Sequence, residues 1–134
     1  YQPTNNRSQY KRTGRNSLVL DCYNANPTSM KVAVENFIAM KAEHKIVILG
    51  GMHELGADTA AEHKALYKML CRGGFEKIIL VGEEFRFACG QTSVEWYATV
   101  DELKARLTEE PLTGATILVK GSNSNRLWLL EENL

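Results

Sequence analysis

Three short polar segments carry most of the side chains in this sequence that are equipped for chemistry. They are Asp21-Cys22-Tyr23-Asn24-Ala25-Asn26-Pro27, Gly50-Gly51-Met52-His53-Glu54-Leu55-Gly56 and Lys120-Gly121-Ser122-Asn123-Ser124-Asn125-Arg126. A fourth, Gly82-Glu83-Glu84, is shorter and acidic. The Asp21 carboxylate can accept hydrogen bonds from ribose hydroxyls, or cap the turn that follows it. Asn24 and Asn26 both donate and accept, and Asn26 also precedes Pro27 as a helix cap would. The helix start after Pro27 offers free N–H groups to an anion. Lys120 and the Gly121-Ser122 turn combine a cation, a hydroxyl and close backbone approach, which suits a carboxylate or phosphate. The plain alternative is a solvated lysine beside a turn.

Several stock arrangements are missing. There is no G-x-x-x-x-G-K-[ST] phosphate loop and no G-x-G-x-x-G fingerprint. No G-x-S-x-G elbow is present for a serine nucleophile. His53-Glu54 lacks the second His of H-E-x-x-H, and His63 is off the spacing that puts two ligands on one helical face, so no metal site is expected. Cys22, Cys71 and Cys89 are odd in number, far apart and without a C-x-x-C, which suits reduced thiols rather than a disulfide scaffold. The sequence holds no self-contained catalytic apparatus.

The elements that must position these segments are legible from periodicity. Leu18-Val19-Leu20, Ile46 to Leu49, Ile78 to Val81 and Ile117-Leu118-Val119 are continuous apolar runs rich in β-branched residues. Such runs mark strands covered on both faces, hence a parallel sheet between helical layers. Met30, Ala33, Val34, Phe37 and Ile38 form one helical stripe, opened by Asn26-Pro27. Thr59-Ala60-Ala61-Glu62 reads as a capping box for a second helix burying Ala61, Ala65, Leu66, Met69 and Leu70 and stopping at Gly73-Gly74. Thr99-Val100-Asp101-Glu102 reads as another, for a helix burying Val100, Leu103 and Leu107 before Pro111. Between them a turn after Gly82, a helical turn at Phe85-Arg86-Phe87 and a strand at Val94 to Tyr97 are expected, and the tail from Ser124 to Leu134 reads as a last short helix. Upstream, Gln9 to Arg12 and Arg15 to Asp21 flank Thr13-Gly14 as a β-hairpin. The predicted fold is α/β, an open, doubly wound, mostly parallel sheet with an N-terminal hairpin. Ligands of such sheets bind beyond the carboxyl ends of the strands, and the polar segments follow those ends.

Composition narrows the partners. Of 134 residues, 44% are hydrophobic and 24% charged, an ordinary globular balance for one domain. Sixteen basic residues balance sixteen acidic ones, so phosphate-backbone binding to nucleic acid is not expected. No apolar run reaches the roughly 20 residues that span a bilayer, and no basic-then-apolar leader opens the sequence, so no membrane association is expected. Tyr1 in place of an initiator Met suggests a piece of a longer chain. Residues 1–16 hold four basic residues and no acid, an arm that reads as a linker or edge element.

At these polar segments the sequence resembles a known family. Asp21 to Met30 resembles the D-x-Y-N-A-N-P-x-S-M signature of the UDP-N-acetylmuramoyl-tripeptide–D-alanyl-D-alanine ligases, a branch of the Mur ligases. Ile48 to Gly56 is similar to their L-G-D-M-x-E-L-G loop, and Leu118 to Asn123 to their L-V-K-G-S-R turn. Asn6-Arg7-Ser8-Gln9 is similar to the G-R-x-E-like link between central and final domains. The matches fall in family order and span nearly the whole sequence.

The resemblance implies a Rossmann-like C-terminal domain, residues 17–134, preceded by a link and hairpin start at 1–16, in a cytoplasmic three-domain enzyme of peptidoglycan synthesis. Such enzymes use ATP and Mg2+ to join D-Ala-D-Ala to UDP-MurNAc-tripeptide. Their phosphate loop, magnesium ligands and modified lysine lie in the central domain, so this domain alone would bind no cofactor and be inactive. Its partners would be the N-terminal and central domains of the same ligase. Carried over residue by residue, Arg7 would reach ATP phosphates, Asp21 the ribose, and Tyr23 and Asn24 the nucleotide. Asn26, Met52, His53, Glu54, Lys120, Gly121, Ser122 and Asn123 would line the D-Ala-D-Ala side. Two departures stand out. Gly51 replaces the usual Asp, whose carboxylate is then lost or supplied elsewhere, with Glu54 one candidate. Asn123 replaces the usual Arg, with Arg126 as a possible substitute. A free-standing α/β module binding a nucleotide or small acid without catalysis, or an interaction domain with inert loops, would present the same elements.

Overall fold

Opposite faces of one sheet are buried by alternate residues of the same apolar runs. The computed structural model describes residues 8–21, 26–52, 55–88, 94–121 and 127–134. Six strands, β1 (Ser8–Arg12), β2 (Ser17–Asp21), β3 (Lys45–Gly50), β4 (Lys77–Val81), β5 (Val94–Tyr97) and β6 (Thr116–Lys120), form one sheet in the order β1-β2-β6-β3-β4-β5. β1 pairs antiparallel with β2, and every other pairing is parallel. Leu18, Leu20, Ile46, Ile48, Ile117 and Val119 face one layer, while Val19, Val47, Leu49 and Leu118 face the other. That period of two explains why the runs show no polar alternation: neither face meets water.

The layers follow from the path of the chain. Helix α1 (Pro27–Ala39) joins β2 to β3 and α2 (Thr59–Cys71) joins β3 to β4, and both pack on the Val19–Leu118 face. Helix α3 (Val100–Glu109) carries the chain back from β5 to β6 and packs on the opposite face with the 3₁₀ helix Leu127–Asn133. Reversing direction with one crossover hand moves the helix to the other side of the sheet. The expected doubly wound architecture with its hairpin is the one observed.

Local signals account for most boundaries. The Asn26 carboxamide oxygen accepts from the Ser29 N–H at 2.8 Å, and Ser29 Oγ accepts from the Asn26 N–H at 3.0 Å, with Pro27 first in the helix. At the other end of α1, Lys45 Nζ donates to the carbonyls of Phe37, Ile38 and Met40 at 2.8–3.0 Å, placing a cation on the negative end of the helix. Thr99 caps α3 by accepting from the Glu102 N–H, whereas Glu102 reaches back one residue further than a capping box requires, to the Ala98 N–H. The short helix Glu83–Ala88 and strand β5 lie where they are expected.

Helix α2 departs from expectation twice. A 3₁₀ turn, Gly56–Asp58, precedes it, so Thr59 is its first residue, and the Thr59 hydroxyl donates to the Gly56 carbonyl at 2.8 Å instead of capping. Its buried residues are His63, Leu66 and Leu70, with Ala61 and Ala65 exposed and Met69 half-buried. His63 joins the buried face, where its two ring nitrogens bond the Met52 N–H and the Thr59 carbonyl.

Asn16, in the turn between β1 and β2, is also buried and fully engaged. Its Nδ2 donates to the carbonyls of Leu112 and Leu134, each at 2.8 Å, and its Oδ1 accepts from the Ala115 N–H at 3.1 Å. Thr13 Oγ1 donates to the same Leu134 carbonyl at 2.6 Å. The hairpin turn is thereby tied to the entry of β6 and to the last turn of the described chain.

Candidate functional site

The carboxyl end of β6 is flanked on both sides by strands that leave the sheet toward the other layer. From β2 and β3 the chain turns to α1 and α2, and beyond β6 the next described element lies in the layer of α3. Divergence of neighbouring connections opens a crevice at the strand ends, the usual ligand position of open α/β sheets. The strand register fixes what borders it. Asp21 is paired with Lys120, and Lys120 with Leu49, while Gly50 is paired with Val81. Strands lie about 4.8 Å apart, so Asp21, Lys120 and the start of the Gly50-Gly51 loop fall within about 10 Å.

Lys120 is 1% exposed, as buried as the leucines beside it. Leu118 faces the α1–α2 layer, so Lys120, two residues further, points to the same side. Such a buried ammonium is a different object from the solvated lysine the sequence also allowed, since a buried charge requires partners. Gly121 follows at the crevice, half-buried.

The loop after β3 is held from beneath. Met52 is 1% exposed and packs in the α1–α2 layer, and its N–H donates to His63 Nε2 at 2.9 Å. His63 Nδ1 lies 2.6 Å from the Thr59 carbonyl. A carbonyl can only accept and an N–H can only donate, so the proton sits on Nδ1 and Nε2 is the acceptor. The same ring meets Phe85 edge-on, with centroids 4.8 Å apart. His63 thus fastens the loop after β3 to α2 and to the short helix after β4, with both its nitrogens committed to backbone.

The loop after β4 is equally fixed. Gly82 has φ +116°, a conformation open to glycine, and its N–H donates to the Tyr97 carbonyl at 2.9 Å. Its own carbonyl accepts from the Phe85 N–H at 3.1 Å and from Trp96 Nε1 at 2.7 Å. Arg86 lies over the Trp96 ring, 5.6 Å from its centroid. Glu84 is carried on this turn, and its carboxyl carbon lies 2.6 Å from where a Cβ on Gly51 would be.

Helix α1 offers an anion less than its sequence promises. The Asn26 and Ser29 N–H groups satisfy each other's side chains and Pro27 has none, which leaves Thr28 among the first four positions. The expected N-terminal anion site therefore reduces to a single N–H. Below it, α1 and α2 enclose a groove of about 520 Å³, floored by Met30, Met52 and Leu66 and edged by Lys31, Glu35 and Arg72.

Of the residues singled out from sequence, Asp21, Asn26, Met52, Lys120 and Gly121 lie along this edge of the sheet, with Asn26 serving as helix cap and Met52 as a core anchor. Arg7, Tyr23, Asn24, His53, Glu54, Ser122 and Asn123 lie outside the described residues, as does Arg126. For Asp21 the backbone position alone is described. His63, Glu84 and Trp96 were not among the sequence candidates. The Gly82-Glu83-Glu84 segment was visible as a strand-end loop, but nothing in sequence pairs it with Gly51. Among the described residues no group of three or more His, Cys, Asp or Glu side chains is placed to hold a metal ion, and no helix is long and apolar enough to cross a membrane.

Residues 6–123 match the family model described as "Mur ligase, glutamate ligase domain". The chain is 30% identical over 128 residues to UDP-N-acetylmuramoyl-tripeptide–D-alanyl-D-alanine ligase of Rickettsia prowazekii, covering 92% of this chain and 28% of that protein. A crystal structure of MurF from Acinetobacter baumannii superimposes with a TM-score of 0.82 at 27% identity, over 99% of this chain and 30% of that one. MurF ligase from Thermotoga maritima, solved in complex with ADP, shares the fold with a TM-score of 0.76 at 19% identity, over 95% of this chain and 30% of that one. The chain thus spans less than a third of the length of these relatives.

Proposed function

The chain belongs to the Mur ligase family as its glutamate ligase domain, and from that premise we propose that it is the C-terminal domain of an ATP-dependent UDP-N-acetylmuramoyl-tripeptide–D-alanyl-D-alanine ligase. In that reaction ATP phosphorylates the tripeptide carboxylate with release of ADP. The dipeptide amine then attacks the acyl phosphate and displaces inorganic phosphate. Such chemistry is driven by positioning and by compensation of charge, which a closing domain can complete. The carrying observation is the pairing of Asp21 with Lys120 beside the Gly50-Gly51 loop, at a crevice where connections diverge.

Residues 17–134 form the domain proper, and 1–16 its link and hairpin start, with Arg7 directed to ATP phosphates. The nucleotide roles fall in this reading to Asp21, Tyr23 and Asn24. The dipeptide roles fall to Asn26, His53, Glu54, Lys120, Gly121, Ser122 and Asn123, with Met52 anchored in the core beneath. The donors along this edge suit the border of a nucleotide site and not its phosphate cradle: the sequence has no phosphate loop, and α1 keeps one N–H for an anion. Mg2+ and the cradling of the phosphates are accordingly assigned to the central domain of the parent enzyme, which acts in the cytoplasm in cell-wall synthesis and so in cell shape and division.

Asp21→Ala and Lys120→Ala in the full-length parent enzyme test the reading. Each is expected to lower kcat/KM for ligation by about tenfold or more, the scale of one lost charged contact. Kinetics unchanged in both variants would leave the crevice inert and overturn the assignment.

A further inference from the structure

We propose that Glu84 is a positioning residue for the dipeptide side of the site, supplying from the loop after β4 the carboxylate that the loop after β3 lacks. The proposal rests on the ligase reading above.

Two glycines make room for this side chain. A Cβ on Gly51 would come within 2.6 Å of the Glu84 carboxyl carbon and 3.2 Å of its Cβ, and one on Gly82 within 2.8 Å of Oε1. Real Cβ atoms do not approach so closely, so a side chain at position 51 would have to displace the Glu84 carboxylate from where it lies. Position 51 is where the similar family loop carries aspartate. The carboxylate has not vanished from this edge of the sheet; it arrives from the neighbouring strand, paired with β3 through Gly50 and Val81.

Its arrival is built in. The Gly82 carbonyl is held by Trp96 Nε1 and the Phe85 N–H, and the buried Phe85 ring seats the turn against His63. His63 in turn accepts from the Met52 N–H, the residue after Gly51. Gly51 donates its own N–H to the Val81 carbonyl at 2.9 Å. The carboxylate therefore lies against a fixed piece of backbone directly before His53 and Glu54. A charged acceptor placed there adds negative potential at the edge that the ligase reading gives to the dipeptide.

The test is an exchange in the full-length parent ligase. Glu84→Gln keeps the shape and removes the charge, and is expected to raise KM for D-Ala-D-Ala at least about fivefold, a coupling ordinary for contacting residues, with kcat changed less than about twofold. Gly51→Asp alone displaces the Glu84 carboxylate and sets a second negative charge beside it, and is expected to impair the enzyme. Gly51→Asp combined with Glu84→Ala is expected to restore KM to within about twofold of the parent. A Glu84→Gln enzyme with unchanged KM overturns the proposal even if the exchange variant does not fold, as does a folded exchange variant no better than the worse single variant. A parent enzyme without ligase activity would instead overturn the ligase reading itself.

Discussion

Two buried polar side chains, Asn16 and His63, tie together backbone from distant segments. Asn16 satisfies three backbone groups that have come together from residues 112, 115 and 134. Leaving such groups unpaired costs about 1–3 kcal/mol for each that water cannot reach. Asn16→Ala is expected to destabilise the domain by about 2–3 kcal/mol in urea unfolding, because Ala115 and Leu112 are left without partners. A loss below about 0.5 kcal/mol would mean that water replaces the carboxamide. His63 acts similarly at the other end of the sheet, where its ring joins Met52, Thr59 and Phe85. Neither residue announces itself in sequence: an asparagine near a turn and a histidine in a helix have many commoner uses.

Glu95 on β5 accepts from the Tyr97 hydroxyl at 2.5 Å and pairs with Lys77 at 2.9 Å. Burial pushes its carboxyl up, but the Tyr97 bond and the Lys77 charge outweigh burial and hold it below the usual carboxylate range. Burial and then the Glu95 contact push the Tyr97 hydroxyl up. A carboxyl lowered by folding contributes stability above its unfolded value, near pH 4.5, and loses it as pH falls through the folded value. Glu95→Gln is therefore expected to flatten the fall of Tm below about pH 5 and, by removing the Glu95 share of the rise at Tyr97, to soften the loss of stability above about pH 10. A parallel acid limb in both proteins would show that the pair is screened by solvent.

At the scale of elements, the helix ends show where local pattern suffices. Asn26-Pro27 and Thr99 cap as their spacing predicts, because capping engages only neighbours in sequence. Thr59 fits the same pattern and does not cap, because a 3₁₀ turn ahead of it supplies a carbonyl for its hydroxyl. The far end of α1 depends on a residue from the next strand. Lys45→Met would leave the Phe37, Ile38 and Met40 carbonyls without their cation, and a loss of about 1–2 kcal/mol is expected in chemical denaturation. A loss confined to the noise of the measurement would mean that the three bonds are replaced by water at no cost.

For the whole molecule, the path of the chain creates the site. Strand β6 enters between β2 and β3 although it comes last, so Lys120 meets Asp21 across 99 positions of sequence, counting from 21 to 120. On the proposed reading this domain borders a nucleotide without cradling its phosphates, and so does not drive phosphoryl transfer by itself. The isolated chain is expected to release no phosphate from ATP in the presence of Mg2+, while the full-length parent does so with tripeptide and dipeptide present. Steady ATP turnover by the chain alone would refute the division of labour proposed here, and micromolar ATP binding by it would favour a free-standing binding module.

The amino-acid sequence by itself determined the strands, the three helices, the burial of both sheet faces and the family, since each depends on periodicity or on contiguous residues. Its strand-end segments also marked the edge on which Asp21 and Lys120 lie. Only the tertiary structure decided which residue fills the centre of α2, how little of the α1 N-terminus remains for an anion, and that Glu84 occupies the space above Gly51. Those outcomes rest on contacts between segments distant along the chain, where the free energy depends on shape and shared hydrogen bonds and leaves no local pattern to read.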